Sequence, residues 1–207
     1  IVGRPNVGKS SLLNAFIGEK VAIVSPKPQT TRNRITGILT REETQLVFID
    51  TPGVHKPRTK LSEYMDREIK EGVADVDVAI LVTEPAGQIR QSELDLMERL
   101  KAKRTPAILA MNKIDTLPRK ELMMERLEQF SALHNFEHVV PISALRHDGV
   151  DLLLELAMGY AQPGPHFFDD EAFTDQPERV IVAEIVREKL LNNLHEEIPH
   201  GIAVGVA

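Results

Sequence analysis

Gly3-Arg4-Pro5-Asn6-Val7-Gly8-Lys9-Ser10 is the stretch on which the fold turns. It follows the apolar pair Ile1-Val2 and runs into a helical pattern from Lys9 to Ile17 that Gly18 stops, which makes a strand, a glycine-rich loop and a helix. The pattern G-x-x-x-x-G-K-[ST] binds phosphate for a physical reason at each fixed letter. Gly3 and Gly8 let backbone N–H groups turn inward around a β-phosphate, and Ser10 offers a hydroxyl to Mg2+. Lys9, expected to stand exposed on the loop, carries its charge to the β- and γ-phosphates.

Outward from this loop, short β-branched runs alternate with amphipathic helical stretches, the rhythm of an α/β fold with a mostly parallel sheet and helices on both faces. Strands are predicted at Ile35 to Thr40, Gln45 to Asp50, Val76 to Thr83, Pro106 to Asn112 and His138 to Ile142. Helices are predicted near Lys9 to Ile17, Leu61 to Lys70, Gln91 to Lys103, Arg119 to Leu133 and Val150 to Tyr160, with Gly72 as a further stop. Only Arg41 to Thr44 separate the first two strands, too few residues for a helical crossover, so that pair is an antiparallel hairpin at the sheet's edge. The first domain is expected to fill residues 1–161. Residues 162–178 carry Pro163, Gly164, Pro165, Asp169, Asp170, Glu171 and Pro177 and read as a linker. In 179–207, Val182, Ile185, Val186, Leu190 and Leu194 mark one helix face, Pro199 and Gly201 break it, and Ile202, Val204 and Val206 alternate like a strand. One helix and one strand bury no core, so this piece starts a larger α+β domain or docks on the first.

Three further motifs end predicted strands at their carboxyl ends, where open α/β sheets hold ligands. Asp50-Thr51-Pro52-Gly53 places a carboxylate for the Mg2+ shell and the Gly53 N–H for a γ-phosphate. Asn112-Lys113-Ile114-Asp115 supplies a carboxylate that accepts from N1–H and the 2-amino group of guanine, donors that adenine lacks. Asn112 is expected to brace the loop and touch the purine, with the Lys113 stem over the base. Ser143-Ala144-Leu145 offers the Ala144 N–H to guanine O6. The nucleotide-binding set is therefore Gly3, Arg4, Pro5, Asn6, Val7, Gly8, Lys9, Ser10 and Ser11, then Asp50 to Gly53, then Asn112, Lys113 and Asp115, then Ser143, Ala144 and Leu145.

Composition narrows the classes. With 207 residues and 42% hydrophobic content the chain is long and apolar enough for a core, and its longest apolar runs are far shorter than the ~20 residues of a membrane span. The absence of Cys excludes disulfides and thiolate metal ligands and fits a cytoplasmic protein; no cleavable signal is visible, though the abrupt opening at Ile1 reads as a missing start. His55, His195, His200 and the other histidines lack metal-ligand spacing. The net charge of −6 argues against a nucleic-acid binder. Between Lys20 and Lys60, however, eight basic residues face three acidic ones, a local +5 that suits an anionic partner.

Taken together, the four motifs look like those of a translation-factor-class GTPase. The phosphate loop, Pro28-Gln29-Thr30-Thr31-Arg32-Asn33-Arg34-Ile35 and Ile185-Val186-Arg187-Glu188-Lys189-Leu190 resemble the bacterial Era family, GTPases with a C-terminal KH domain that binds small-subunit ribosomal RNA. The resemblance implies a P-loop GTPase fold with one antiparallel edge strand, followed at 179–207 by the start of a KH domain. It implies GTP and GDP with Mg2+ as ligands, the 30S subunit as partner, and peripheral association with the inner face of the cell membrane. A monomer is expected. It also makes the loop before the hairpin a switch in which a Thr reaches Mg2+ and the γ-phosphate; Thr31 is the choice and Thr30 the alternative, giving Ser10, Thr31 and Asp50 as metal ligands. Val54 stands where many signalling GTPases orient water with Gln, and valine does neither donating nor accepting. The resemblance supplies Asn6 as a ligand for K+ in its place, so Lys9, Asn6, Thr31 and Gly53 are the expected catalytic residues. Two other readings stay open: a GTP-gated scaffold with little hydrolysis, and a related GTPase of tRNA modification or transport.

Overall fold

The computed structural model describes residues 1–27, 30–31, 33–53, 76–119, 121–193 and 204–205. In chain order the elements are β1 (Val2–Gly3), α1 (Lys9–Ile17), β2 (Ile35–Arg41), β3 (Thr44–Asp50), β4 (Ala79–Thr83), α2 (Gln91–Lys103) and β5 (Ala107–Met111). They continue with a 3-10 turn (Ile114–Thr116), α3 (Glu121–Leu133), β6 (His138–Pro141), α4 (Val150–Met158) and α5 (Glu178–Asn193). The helix expected at Leu61 to Lys70, its stop at Gly72 and most of the strand expected through Ile202, Val204 and Val206 lie outside the described residues, as do Val54 and His55.

Every residue of β4 and of β5 is buried, as strands covered on both faces require. The order β1-β4-β5-β6 is parallel throughout. Alternation along each strand divides the core. Ile80, Val82, Ile108 and Ala110 pack with Leu12, Leu13 and Phe16 of α1 and with Leu153 and Leu154 of α4. Leu81, Leu109 and Met111 point the other way, toward Leu96 and Leu100 of α2 and Phe130 of α3. Strands begin or end where the ladder's hydrogen bonds do: Pro106 has no N–H and only lends its carbonyl to Ala79 at 2.9 Å, so the two middle strands are shorter than the sequence pattern suggested. The edge hairpin forms as expected, with Ile35 opposite Asp50 and Arg41 opposite Thr44. It is a separate two-stranded ladder, tied to β1 where the Ile1 nitrogen donates to the Ile49 carbonyl at 2.6 Å and the Thr51 hydroxyl to the Ile1 carbonyl at 3.1 Å.

The linker expected at 162–178 has contacts that its composition does not announce, since it is laid along the hairpin. The Ile38 N–H donates to the Phe173 carbonyl at 2.9 Å, and the Thr174 hydroxyl to the Thr36 carbonyl at 2.7 Å. Gln45 accepts from the Phe167 and Phe168 N–H groups at 2.9 and 3.0 Å. The outer edge of β2 has main-chain groups to satisfy, and this strap satisfies them. The helix expected after Pro177 forms as α5, and the face marked by Val182, Val186 and Leu190 is 49%, 42% and 37% exposed, while Arg187, Glu188 and Leu191 are buried. What the buried pair of α5 meets is the Lys20 ammonium, the Val24 N–H and the Thr30 carbonyl, which charged side chains satisfy and aliphatic ones would not.

Candidate functional site

The phosphate loop is tight where the sequence has glycine. A Cβ on Gly8, whose φ is 97°, would stand 2.2 Å from the side-chain nitrogen of Asn112, and one on Gly53 would stand 2.5 Å from the Pro5 Cα. Lys9 is 6% exposed instead of standing free on the loop. Its ammonium spans the loop to the Arg4 carbonyl at 3.0 Å, and burial pushes its pKa down to about 8. Asn6, at a φ of 62°, donates from Nδ2 to the Pro26 carbonyl at 2.8 Å, which joins the loop to the segment before the hairpin.

Ser10, Thr31 and Asp50 meet as expected. Ser10 Oγ donates to Asp50 Oδ2 at 2.6 Å and lies 3.0 Å from Thr31 Oγ1. The Thr30 hydroxyl is spent on the Lys27 carbonyl at 2.7 Å, which leaves Thr31 as the threonine at this centre. Burial raises the Asp50 pKa, against the opposing pull of Lys9 and the Ser10 hydrogen bond. Asp50 Oδ1 is buried with no protein partner. A buried carboxylate oxygen left over beside two hydroxyls is a donor set that fits Mg2+, which takes few protein oxygens and completes its shell with water and phosphate. Among the described residues there is no cluster of three His, Asp or Glu that would make a dedicated protein cage.

Asn112 ties three loops together. Its Nδ2 donates to the Val7 carbonyl at 2.8 Å, and its Oδ1 accepts the Ala144 N–H at 2.9 Å. Both polar ends are thus engaged and the side chain is 3% exposed, so Asn112 braces the loops, with its second Nδ2 hydrogen left for a further acceptor. For the same reason the Ala144 N–H, expected to face guanine O6, points to Asn112, and a guanine has to share that bond or displace it. Lys113 donates to the Asn6 carbonyl at 2.6 Å and to Glu84 Oε1 at 2.7 Å. Asp115 accepts from the Ser143 hydroxyl at 2.6 Å, and that bond holds its carboxyl below the ordinary range and hence ionised. Leu145 is 86% exposed beside it.

A cavity of about 440 Å3 runs along Asn6, Gly8, Lys9, Ser10, Thr31, Gly53 and Lys113. Another of about 410 Å3, between Arg104, Ala107 and His134, opens by the amino-terminal end of β5 and touches none of the motifs.

Glu84 and a buried ion cluster belong to none of the four motifs. Glu84 bridges Lys113 and Arg4, whose Nη2 is 3.4 Å from Oε2. Glu93, fully buried, accepts from Thr83 at 2.8 Å and pairs with Arg126 at 3.2 Å and with Arg4 Nε at 3.2 Å. Glu84 follows Thr83 at the carboxyl end of β4, the same position rule that singled out Asp50 and Asn112, and that rule would have found it. Glu93 and Arg126 leave no such trace, because both belong to helices whose patterns read as ordinary amphipathic faces.

The profile of a family described as 50S ribosome-binding GTPase matches residues 1–113. The chain is 47% identical to GTPase Era of Ruminiclostridium cellulolyticum over 206 residues, which is 100% of this chain and 69% of that protein. It is 50% identical to GTPase Era of Clostridium botulinum strain Hall over the same shares. Among solved structures it resembles Era in complex with MgGDPNP and nucleotides 1506–1542 of 16S ribosomal RNA, with a TM-score of 0.89 and 34% identity over 96% of this chain and 67% of that one.

Proposed function

The chain belongs to the Era family of GTPases, a GTP-hydrolysing enzyme of GTP, GDP and Mg2+, and from that premise we propose how its residues divide the work and what the switch controls. The observation that carries the reading is a cavity lined by Lys9, Ser10, Thr31, Gly53 and Lys113, with Asp50 bonded to Ser10 at its phosphate end and Asp115, two residues beyond Lys113, bonded to Ser143. Asp115, kept ionised by Ser143, accepts both guanine donors, and Lys113 covers the base with its stem. Lys9 exchanges the Arg4 carbonyl for the β- and γ-phosphate oxygens, a partner that repays its desolvation better. Backbone N–H groups of the loop, together with that of Gly53, orient the γ-phosphate for in-line attack by water. Ser10, Thr31 and Asp50 hold Mg2+, which supplies charge against the developing negative charge of the phosphates when bound.

Losing the γ-phosphate takes away the partner of Thr31 and Gly53, so both switch segments relax. In this reading residues 1–161 are the GTPase domain, 162–178 the strap, and 179–207 the start of a KH domain that binds small-subunit ribosomal RNA during 30S assembly. The complex of the related Era with 16S ribosomal RNA supports the choice of RNA. Action in the cytoplasm as a monomer, with peripheral contact to the inner membrane face, rests on family resemblance. No helix among the described residues is long and apolar enough to cross a membrane.

The test is phosphate release from GTP and from ATP with and without Mg2+, together with binding of a labelled RNA carrying the 3′ end of 16S ribosomal RNA in the presence of a GTP analogue or GDP. Mg2+-dependent release from GTP alone, and RNA affinity that differs between the two nucleotides, are expected. Equal use of ATP would refute the base assignment, and nucleotide-independent RNA binding would refute the switch.

A further inference from the structure

Two consecutive residues of α5 grip the segment that carries the switch threonine. Arg187 Nη2 donates to the Thr30 carbonyl at 2.5 Å, and the guanidinium is held for this by Glu184, which accepts from Nε at 2.9 Å. Glu188 accepts the Val24 N–H at 2.9 Å on one oxygen and pairs with the Lys20 ammonium through the other. Arg187 and Glu188 are 3% and 4% exposed. On its other side the same segment is bonded to the nucleotide cavity, through Asn6 to the Pro26 carbonyl at 2.8 Å and through Ser10 to Thr31 at 3.0 Å. Between the two sets of bonds lies a single stretch of chain in which Thr30 and Thr31 are adjacent.

Burying these two charges is a poor way to gain stability. Arg187 Nη1 is buried with no partner, and well-packed apolar side chains at such positions often stabilise as much or more. What the charges do provide is direction, since each recognises one particular main-chain group of the switch segment. We propose that Arg187 and Glu188 are positioning residues for GTP hydrolysis, holding Lys20, Val24 and Thr30 so that the Thr31 hydroxyl stays beside Ser10 and Asp50. The inference rests on the reading that Thr31 serves the Mg2+ and γ-phosphate end of the site. Coupling of this kind is reciprocal, so a γ-phosphate that holds Thr31 also tightens the hold of the segment on α5.

The test compares the unmutated chain with Arg187→Ala, Arg187→Lys and Glu188→Gln by steady-state GTP turnover and by affinity for GDP and for a non-hydrolysable GTP analogue. Arg187→Ala and Glu188→Gln are each expected to lower turnover and analogue affinity about tenfold or more, the scale of one charge-assisted hydrogen bond, and to change GDP affinity less than about twofold. Arg187→Lys, which keeps a donor, should recover part of the loss. Equal losses for GDP and the analogue would show a general structural role, and no loss for either would show that α5 does not position the switch; both overturn the proposal. Should Arg187→Ala fail to fold, Glu188→Gln decides, since it preserves size and an acceptor oxygen. If the unmutated chain itself preferred no guanine nucleotide, the assignment of the nucleotide site would fall first, and this outcome is visible before any variant is compared.

Discussion

Ser10 and Asp50, forty residues apart in the chain, are joined by a hydrogen bond of 2.6 Å from Ser10 Oγ to Asp50 Oδ2. The bond closes the phosphate loop onto the end of β3. It leaves Asp50 Oδ1 buried and without a protein partner, so the carboxylate retains an acceptor for a cation that the desolvated site needs.

Asp50→Asn removes that charge while keeping the shape. GTP turnover is expected to fall by about 100-fold or more, the scale of losing one preorganised charge-stabilising group, and the MgCl2 concentration giving half-maximal rate should rise. Turnover measured across a MgCl2 series checks this, and an unchanged Mg2+ profile would remove Asp50 from the metal site.

Lys9→Ala is expected to abolish turnover without lowering the thermal midpoint of the nucleotide-free protein. The ammonium is buried and its pKa is pushed down to about 8, a sign that folding costs this cation hydration which the nearby Asp50 charge offsets only in part. Thermal unfolding with and without GDP tests it: the unmutated protein should gain more from GDP than the variant does.

His166 gives the strap a pH dependence. Its ring nitrogens lie 2.6 Å from Asp170 Oδ1 and 3.1 Å from the Glu43 carbonyl, and the Asp170 hydrogen bond, followed by that to Glu43, raises its pKa above the ordinary 6.5. Because the folded-state value exceeds the unfolded one, the stabilisation is fully present below the unfolded value and is lost as pH rises through the folded one. Limited proteolysis of residues 162–178 should therefore quicken as pH rises through that window. His166→Ala should remove the pH dependence, and a profile unchanged by the substitution would show that another group controls the strap.

How much of this was visible in the sequence depended on the range over which each residue acts. Asp50, Asn112 and Ser143 end apolar runs, so a local pattern places them at the carboxyl ends of strands, and the sheet does the rest. Arg187 and Glu188 meet main-chain and side-chain partners more than 150 residues away, and no spacing encodes such a meeting. The contacts of the strap are not legible because Pro163, Gly164 and Pro165 report only the absence of a helix or strand, and hydrogen bonds to a hairpin edge need neither. The buried contacts of α5 are not legible either, because amphipathic patterning marks the apolar face of Val182, Val186 and Leu190 and says nothing of Arg187 and Glu188, which meet a carbonyl, an amide and an ammonium.

Potassium bears on the role of Asn6. With Asn6 Nδ2 engaged by Pro26, the side-chain oxygen is the atom left for a cation near the phosphates, and a charge in a partly dry site counts for more than in bulk water. GTP turnover is expected to be faster in KCl than in matched NaCl, and Asn6→Ala should erase the difference while GDP affinity stays nearly intact. Equal rates in the two salts for the unmutated protein would contradict the potassium assignment.

Base recognition at Asp115 is the most direct test of the central claim, that these four loops form a guanine-nucleotide site. Asp115, ionised beside Ser143, offers acceptors to N1–H and the 2-amino group of guanine; asparagine replaces one acceptor with a donor, which suits the 2-carbonyl of xanthine. The measurement is affinity for GTP, ATP and xanthosine triphosphate in the unmutated protein and in Asp115→Asn. The expected result is strong preference for GTP in the first, and in the second a loss for GTP of about 100-fold or more with a gain for xanthosine triphosphate. A variant that keeps full GTP affinity and gains none for the xanthine nucleotide, or an unmutated protein that binds ATP as well as GTP, would contradict the account.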